Sequence, residues 1–290
     1  MGFTSNEAGG DRCARSSVCS PPAQASFAVN IWSTGLAIGS GGLVGFSLGL
    51  IGGGGSILAT PLLLYVVGLA PAHLAIGTSA LAVAANAFLN FSSYARRGMV
   101  RWRSAIVFAV VGSIGAFAGS SLGKAINGDR LLFLFGLLML VVGALMLKTR
   151  RPALSAENET RGHSWVATAT AFAVGLTAGF FGIGGGFLIV PGLIFATGMP
   201  MINAIGTSLL AVGAFGLTTA LNYAVSGLVD WAVAAEFISG GFVGGLVGMR
   251  LASHLSKYRS ALNLVFASLI FVVAIYVIYK SGHSLFSQRA

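Results

Sequence analysis

Two glycine clusters in this chain could bind an anion without any basic side chain. The first lies in GLIGGGGSILATP, residues 49–61, and the second in GFFGIGGGFLIVP, residues 179–191. Each interrupts an apolar run and precedes a short apolar piece that carries a proline, Pro61 or Pro191. Glycine admits backbone angles closed to other residues and lets another atom approach closely. A helix restarting after such a break turns free N–H groups and the positive end of its dipole toward the break. That arrangement suits an anion. The residues expected to line the substrate site are Gly53, Gly54, Gly55 and Ser56 in the first cluster, and Gly184, Gly185 and Gly186 in the second. The competing reading of glycine is close helix packing. It fits the spaced residues Gly112, Gly115 and Gly119, and Gly240, Gly241, Gly244, Gly245 and Gly248, better than the two clusters.

Polar side chains in the neighbouring apolar runs extend the candidate site. Thr78, Ser79, Thr207 and Ser208, in two GTS triplets, offer hydroxyls close to a helix start. They could bond an anion, cap a helix, or bond back to their own preceding turn. Asn86, Asn90 and Asn222 follow in the same runs, and a polar group in lipid is costly enough to be expected facing the protein interior. Glu236, five residues past Trp231, is the candidate for a coupling proton, with pairing or solvation as the alternatives. No metal site is expected. The two cysteines, Cys13 and Cys19, lie in a polar N-terminal stretch without an adjacent histidine.

These residues need a membrane to make sense of them. The chain of 290 residues is 56% hydrophobic and 8% charged, against roughly 25% charged for a soluble domain, so a polytopic membrane protein is expected. The net charge of +10 sits between apolar runs, where it reads as topology signal and lipid contact rather than nucleic-acid binding. The fold class expected is all-α, with about eight spans near 31–51, 74–94, 104–123, 131–147, 165–182, 204–224, 232–250 and 261–279. The pieces 56–69 and 187–198 are short for a crossing and read as broken or re-entrant helices. Residues 1–30 read as a disordered polar tail without signal-peptide features, and 148–164 as a polar linker. Residues 281–290 form a C-terminal tail.

The chain is internally duplicated. LAIGTSALAV at 74–83 and NAIGTSLLAV at 203–212 share eight of ten residues at an offset of 129. Tyr94, Gly98 and Trp102 meet Tyr223, Gly227 and Trp231 at the same offset. Residues 31–147 and 165–280 are therefore read as two transmembrane repeats, a plan that places substrate between the halves. Under eight crossings, 12 of 17 Lys and Arg residues share the side of both termini, which makes the termini cytoplasmic. If the short pieces also cross, the repeats are inverted, the split is 11 to 6, and the termini lie outside.

Together, the paired glycine–proline clusters, the LAIGTS and NAIGTS motifs and the G-x-V-x-W turns resemble the sulfite exporter TauE/SafE family, also called the toluenesulfonate uptake permeases. The resemblance covers nearly all of 31–280. It implies a multi-pass inner-membrane transporter of small sulfur-containing anions, such as sulfite or organosulfonates. The partners expected are that anion, the lipid bilayer, and a proton or sodium ion for coupling, with no cofactor and no nucleic acid. GGGGSILATP is one residue longer than GIGGGFLIVP, so the resemblance does not imply two equivalent half-sites. The alternatives are a passive anion channel or a membrane scaffold. An intramembrane enzyme is disfavoured, because Ser79 and Ser208 lack a GxSG setting and no histidine lies within a span. No phosphate-loop motif with its lysine occurs, so ATP drive within the chain is not expected.

Overall fold

The computed structural model describes residues 31–51, 53–148, 164–199, 201–254, 268 and 270–281. The expectations for Cys13, Cys19, the N- and C-terminal tails and most of the linker fall outside the described residues. Within them the protein is all-α. Helices α1 (Ile31–Ile51), α3 (Ala72–Arg96), α4 (Trp102–Ala125), α8 (Met201–Ala224) and α9 (Trp231–His254) are long and apolar enough to cross a membrane. Helix α5 (Gly128–Lys148), helix α6 (Ser164–Phe181) and the helix Ile270–Ser281 accompany them.

Each glycine cluster begins a short helix. After the first, the chain forms a 3₁₀ turn (Gly53–Leu58), one turn of α-helix, α2 (Ala59–Pro61), and a π turn (Leu62–Val66). Pro61 has no N–H to give the carbonyl of Ile57, and the hydrogen-bond register changes across it. After the second, α7 (Gly186–Thr197) starts directly. Gly182, Gly184 and Gly185 hold φ of 66°, 68° and 69°, angles that strain any residue with a Cβ. This is why the break is written in glycine.

Close packing explains most other glycines. A Cβ on Gly41, Gly45 or Gly49 of α1 would strike the backbone of Phe237, Gly241 or Gly245 of α9. On α4, a Cβ at Gly115, Gly119 or Gly123 would strike α6 at Phe172, Leu176 or Phe180. The numbers rise together, so α1 runs parallel to α9 and α4 parallel to α6. Small residues let these backbones touch where lipid gives helices no hydrophobic reason to associate.

The same contacts give the direction of the central pair. Gly77 faces Tyr223, Gly216 faces Ala84, and Gly206 faces Tyr94, so α3 and α8 run antiparallel. Helix α3 runs parallel to α9, with Asn86 against Gly241 and Asn90 against Gly245. Helices α1, α3 and α9 thus point one way, and α4, α6 and α8 the other. Because α1 and α3 share a direction, the glycine-led segment between them carries the chain back. Helix α7 does the same between α6 and α8, and it lies antiparallel to α6, Gly185 against Ala178 and Gly192 against Thr170.

The exposed surface agrees with lipid on the flanks. Trp32, Trp231, Trp102 and Trp165 are exposed at the starts of α1, α9, α4 and α6. Given the directions above, they form one tryptophan pair at each face, where indole rings settle at a membrane interface. Between them, Ile106, Val110, Ile114 and Phe117 turn an apolar stripe outward from α4.

Candidate functional site

The two glycine-led segments meet. Helix α7 packs on the 3₁₀ turn Gly53–Leu58, and both lie against the α3–α8 centre. Gly55 and Ser56 are buried, as are Gly184, Gly185 and Gly186. Gly53 and Gly54 belong to the same 3₁₀ turn. Gly53, Gly54, Gly55 and Ser56 thus belong to the turn that α7 packs on, and Gly184, Gly185 and Gly186 lead into α7 itself.

The GTS triplets serve a joint between halves. Thr78 Oγ1 accepts the backbone N–H of Asp230 at 3.0 Å, and Thr207 Oγ1 accepts that of Arg101 at 3.1 Å. Asp230 and Arg101 precede α9 and α4, so each threonine ties the head of a helix in the opposite half. Ser79 donates to the carbonyl of Ile76 at 2.9 Å, and Ser208 to that of Ile205 at 2.8 Å. Of the uses open to these hydroxyls, the structure displays capping and back-bonding. Thr60 adds a further link, its hydroxyl lying 2.9 Å from Ser79 Oγ and wholly buried. With Ser79 donating to Ile76, Thr60 is the donor in that pair.

Asn86 is different. It sits at the middle of α3, completely buried, with its side chain against Gly241 of α9. Neither Nδ2 nor Oδ1 has a hydrogen-bond partner among the described residues. An unsatisfied buried amide costs about 1–3 kcal/mol, and lipid supplies nothing to relieve it. Such an amide has two N–H donors and an acceptor oxygen to offer.

Glu236 lies apart from this centre, near the start of α9. Its Oε1 accepts the Thr34 hydroxyl at 2.9 Å, joining α9 to the start of α1. Asn222 is not near Asn86 either. Its Nδ2 donates to Ser120 at 2.6 Å, and its Oδ1 accepts from Lys124 Nζ at 2.7 Å, at the end shared by α4 and α8.

Two residues of the centre were not singled out from the sequence. Thr60 was legible inside the first cluster motif, although its bond to Ser79 was not. Phe215, the counterpart of Asn86 at the offset of 129, is fully buried with its ring on Gly112. The repeat alignment was the available signal, but a phenylalanine in an apolar helix draws no notice.

Comparison with known proteins decides the family. The profile described as Sulfite exporter TauE/SafE matches residues 37–277. The chain belongs to the sulfite exporter TauE/SafE family. Among relatives of this TauE/SafE chain is a "Probable membrane transporter protein" of Xylella fastidiosa (strain 9a5c), 60% identical over 89% of this chain and 99% of the relative. The "Probable membrane transporter protein YunE" of Bacillus subtilis (strain 168) is 29% identical over 71% of this chain and 84% of the relative. No solved structure matches the chain at a significant level. As a TauE/SafE member with several apolar helices, it is an integral membrane protein of a transporter family.

Proposed function

We propose that this chain is a secondary transporter of small anions, of the sulfur oxyanion or organosulfonate class, without an enzymatic activity. The anion is held beside Asn86, where the two glycine-led segments meet between repeats 31–147 and 165–280. The Asn86 amide carries this reading. Its Nδ2 can donate two hydrogen bonds to oxyanion oxygens, and its Oδ1 can accept from a protonated one. Gly53, Gly54, Gly55, Ser56, Gly184, Gly185 and Gly186 line the site with backbone N–H groups at the helix heads. Thr78, Ser79, Thr207 and Ser208 hold the helices that carry it. A neutral amide with helix dipoles binds an anion without trapping it, as a transport cycle requires.

Glu236 is the group proposed to take up the coupling proton. The protein resides in the inner membrane with both termini outside. Support for that orientation comes from the helix directions and from the matching 11-to-6 charge split, which together displace the eight-crossing argument for cytoplasmic termini.

The test is sulfite flux into proteoliposomes carrying the wild type, Asn86→Leu or Gly185→Leu. Both variants are expected to lose at least about tenfold in rate, and uphill accumulation under an imposed proton gradient separates a transporter from a channel. Wild-type flux in well-inserted Asn86→Leu would sink the site assignment.

A further inference from the structure

Asn86 and Phe215 correspond at the repeat offset, and so do the glycines they rest on. Asn86 presses its amide on Gly241 of α9, and Phe215 presses its ring on Gly112 of α4. Gly112 and Gly241 are themselves 129 residues apart. The backing is the same on both sides. Only the side chain differs, an amide with two unpartnered polar atoms against a hydrocarbon ring.

The ring also reaches the head of α7. A Cβ built on Gly185, the residue that caps α7, would lie 3.4 Å from Phe215 Cδ2. Hydrocarbon therefore lies beside the residue from which this helix starts. A buried aromatic ring offers an anion no hydrogen bond, and its face repels negative charge. The buried polar atoms of α8 without a partner among the described residues lie further along, at Thr219 and Tyr223, one and two turns beyond Phe215. Two half-sites built on one plan have thus been made chemically unlike.

We propose that the chain takes one anion per molecule, at the Asn86 half-site, and that Phe215 closes the second half-site and sets this stoichiometry. The inference rests on the anion-binding reading of Asn86. A symmetric pair of sites would let two anions occupy the centre together and repel one another across a medium of low dielectric. A single site avoids this.

The double exchange keeps the summed side-chain volume of the pair. Calorimetric titration of sulfite into the purified full chain in nanodiscs compares the wild type, Asn86→Phe, Phe215→Asn and the double exchange. The wild type is expected to bind one equivalent, and Asn86→Phe to lose at least about tenfold in affinity. Phe215→Asn is expected to bind two equivalents, and the double exchange to regain one. If an exchange variant does not fold, Phe215→Ala decides, since removing the ring alone is expected to admit a second, weaker equivalent. Two equivalents in the wild type, or a single one in folded Phe215→Asn or Phe215→Ala, overturns the role of Phe215. Unchanged affinity in Asn86→Phe overturns the anion reading with it, whereas loss in Asn86→Phe with no gain on changing Phe215 overturns this inference alone.

Discussion

Thr78 on α3 holds the backbone N–H of Asp230, 152 residues away, at the head of α9. Thr207 does the same for Arg101 at the head of α4. Threonine to valine keeps the shape and leaves a part-buried N–H without its acceptor, a loss of about 0.5–1.5 kcal/mol. Thr78→Val and Thr207→Val are each expected to lower the melting temperature of the detergent-purified protein while sulfite binding persists. Lost binding with an unchanged melting temperature would show that these hydroxyls face the substrate.

The α1–α9 and α4–α6 contacts predict which glycines tolerate a side chain. Gly45→Val and Gly175→Val each drive a side chain into the partner helix backbone. Overpacking of this kind costs about 1–3 kcal/mol or more, and both variants are expected to melt early or aggregate. At Gly35 an added Cβ meets nothing within 4 Å, so Gly35→Ala should match or slightly exceed wild-type stability. A stable Gly45→Val would contradict the packing.

Antiparallel α3 and α8 place the turns that follow them on opposite faces. Arg97 follows the first helix and Val225 follows the second. The eight-crossing alternative puts both on one side. In a Cys13→Ser, Cys19→Ser background, Arg97→Cys and Val225→Cys are expected to differ in labelling by a membrane-impermeant maleimide on intact cells. Val225→Cys should react and Arg97→Cys should be protected until the membrane is opened. Equal labelling of the two would refute the inverted arrangement.

If Glu236 takes up the coupling proton, removing its charge separates transport from its driving force. Glu236→Gln is expected to abolish accumulation of sulfite driven by a pH gradient while retaining at least about half of the exchange of internal for external sulfite. It keeps an oxygen to accept the Thr34 hydroxyl, so a structural loss is not expected. Full gradient-driven accumulation in this variant would leave Glu236 a packing contact.

Much of the molecule was legible before any coordinates. Apolar runs of span length reveal membrane helices because lipid forces the backbone to satisfy itself. The shared GTS, Tyr, Gly and Trp positions reveal a second use of the same plan. The turns after α3 and α8 share a local form, for Gly98 and Gly227 hold φ of 69° and 70°, and the N–H groups of Met99 and Leu228 bond back to the carbonyls of Tyr94 and Tyr223. That each glycine cluster leads into a short helix was legible too, since glycine interrupts an apolar run where other residues would continue it.

Other features depended on which helix faces which. From the chain alone, Thr78 could equally bond an anion, a helix head or its own helix, because those options differ only in what lies opposite. Asn86 and Asn90 looked equivalent as polar residues of one run, until burial set the Asn86 amide against Gly241 without a partner. Hydropathy measures transfer into lipid but carries no direction, so it could not tell a dipping segment from a short crossing one. The sequence by itself determined a duplicated, glycine-broken, all-helical membrane protein, because composition and periodicity act locally. Only the tertiary structure decided that α1 and α3 run together, that threonines clasp the halves, and that Asn86 and Phe215 make them unlike. The last two are relations between segments more than a hundred residues apart, and contact alone creates them.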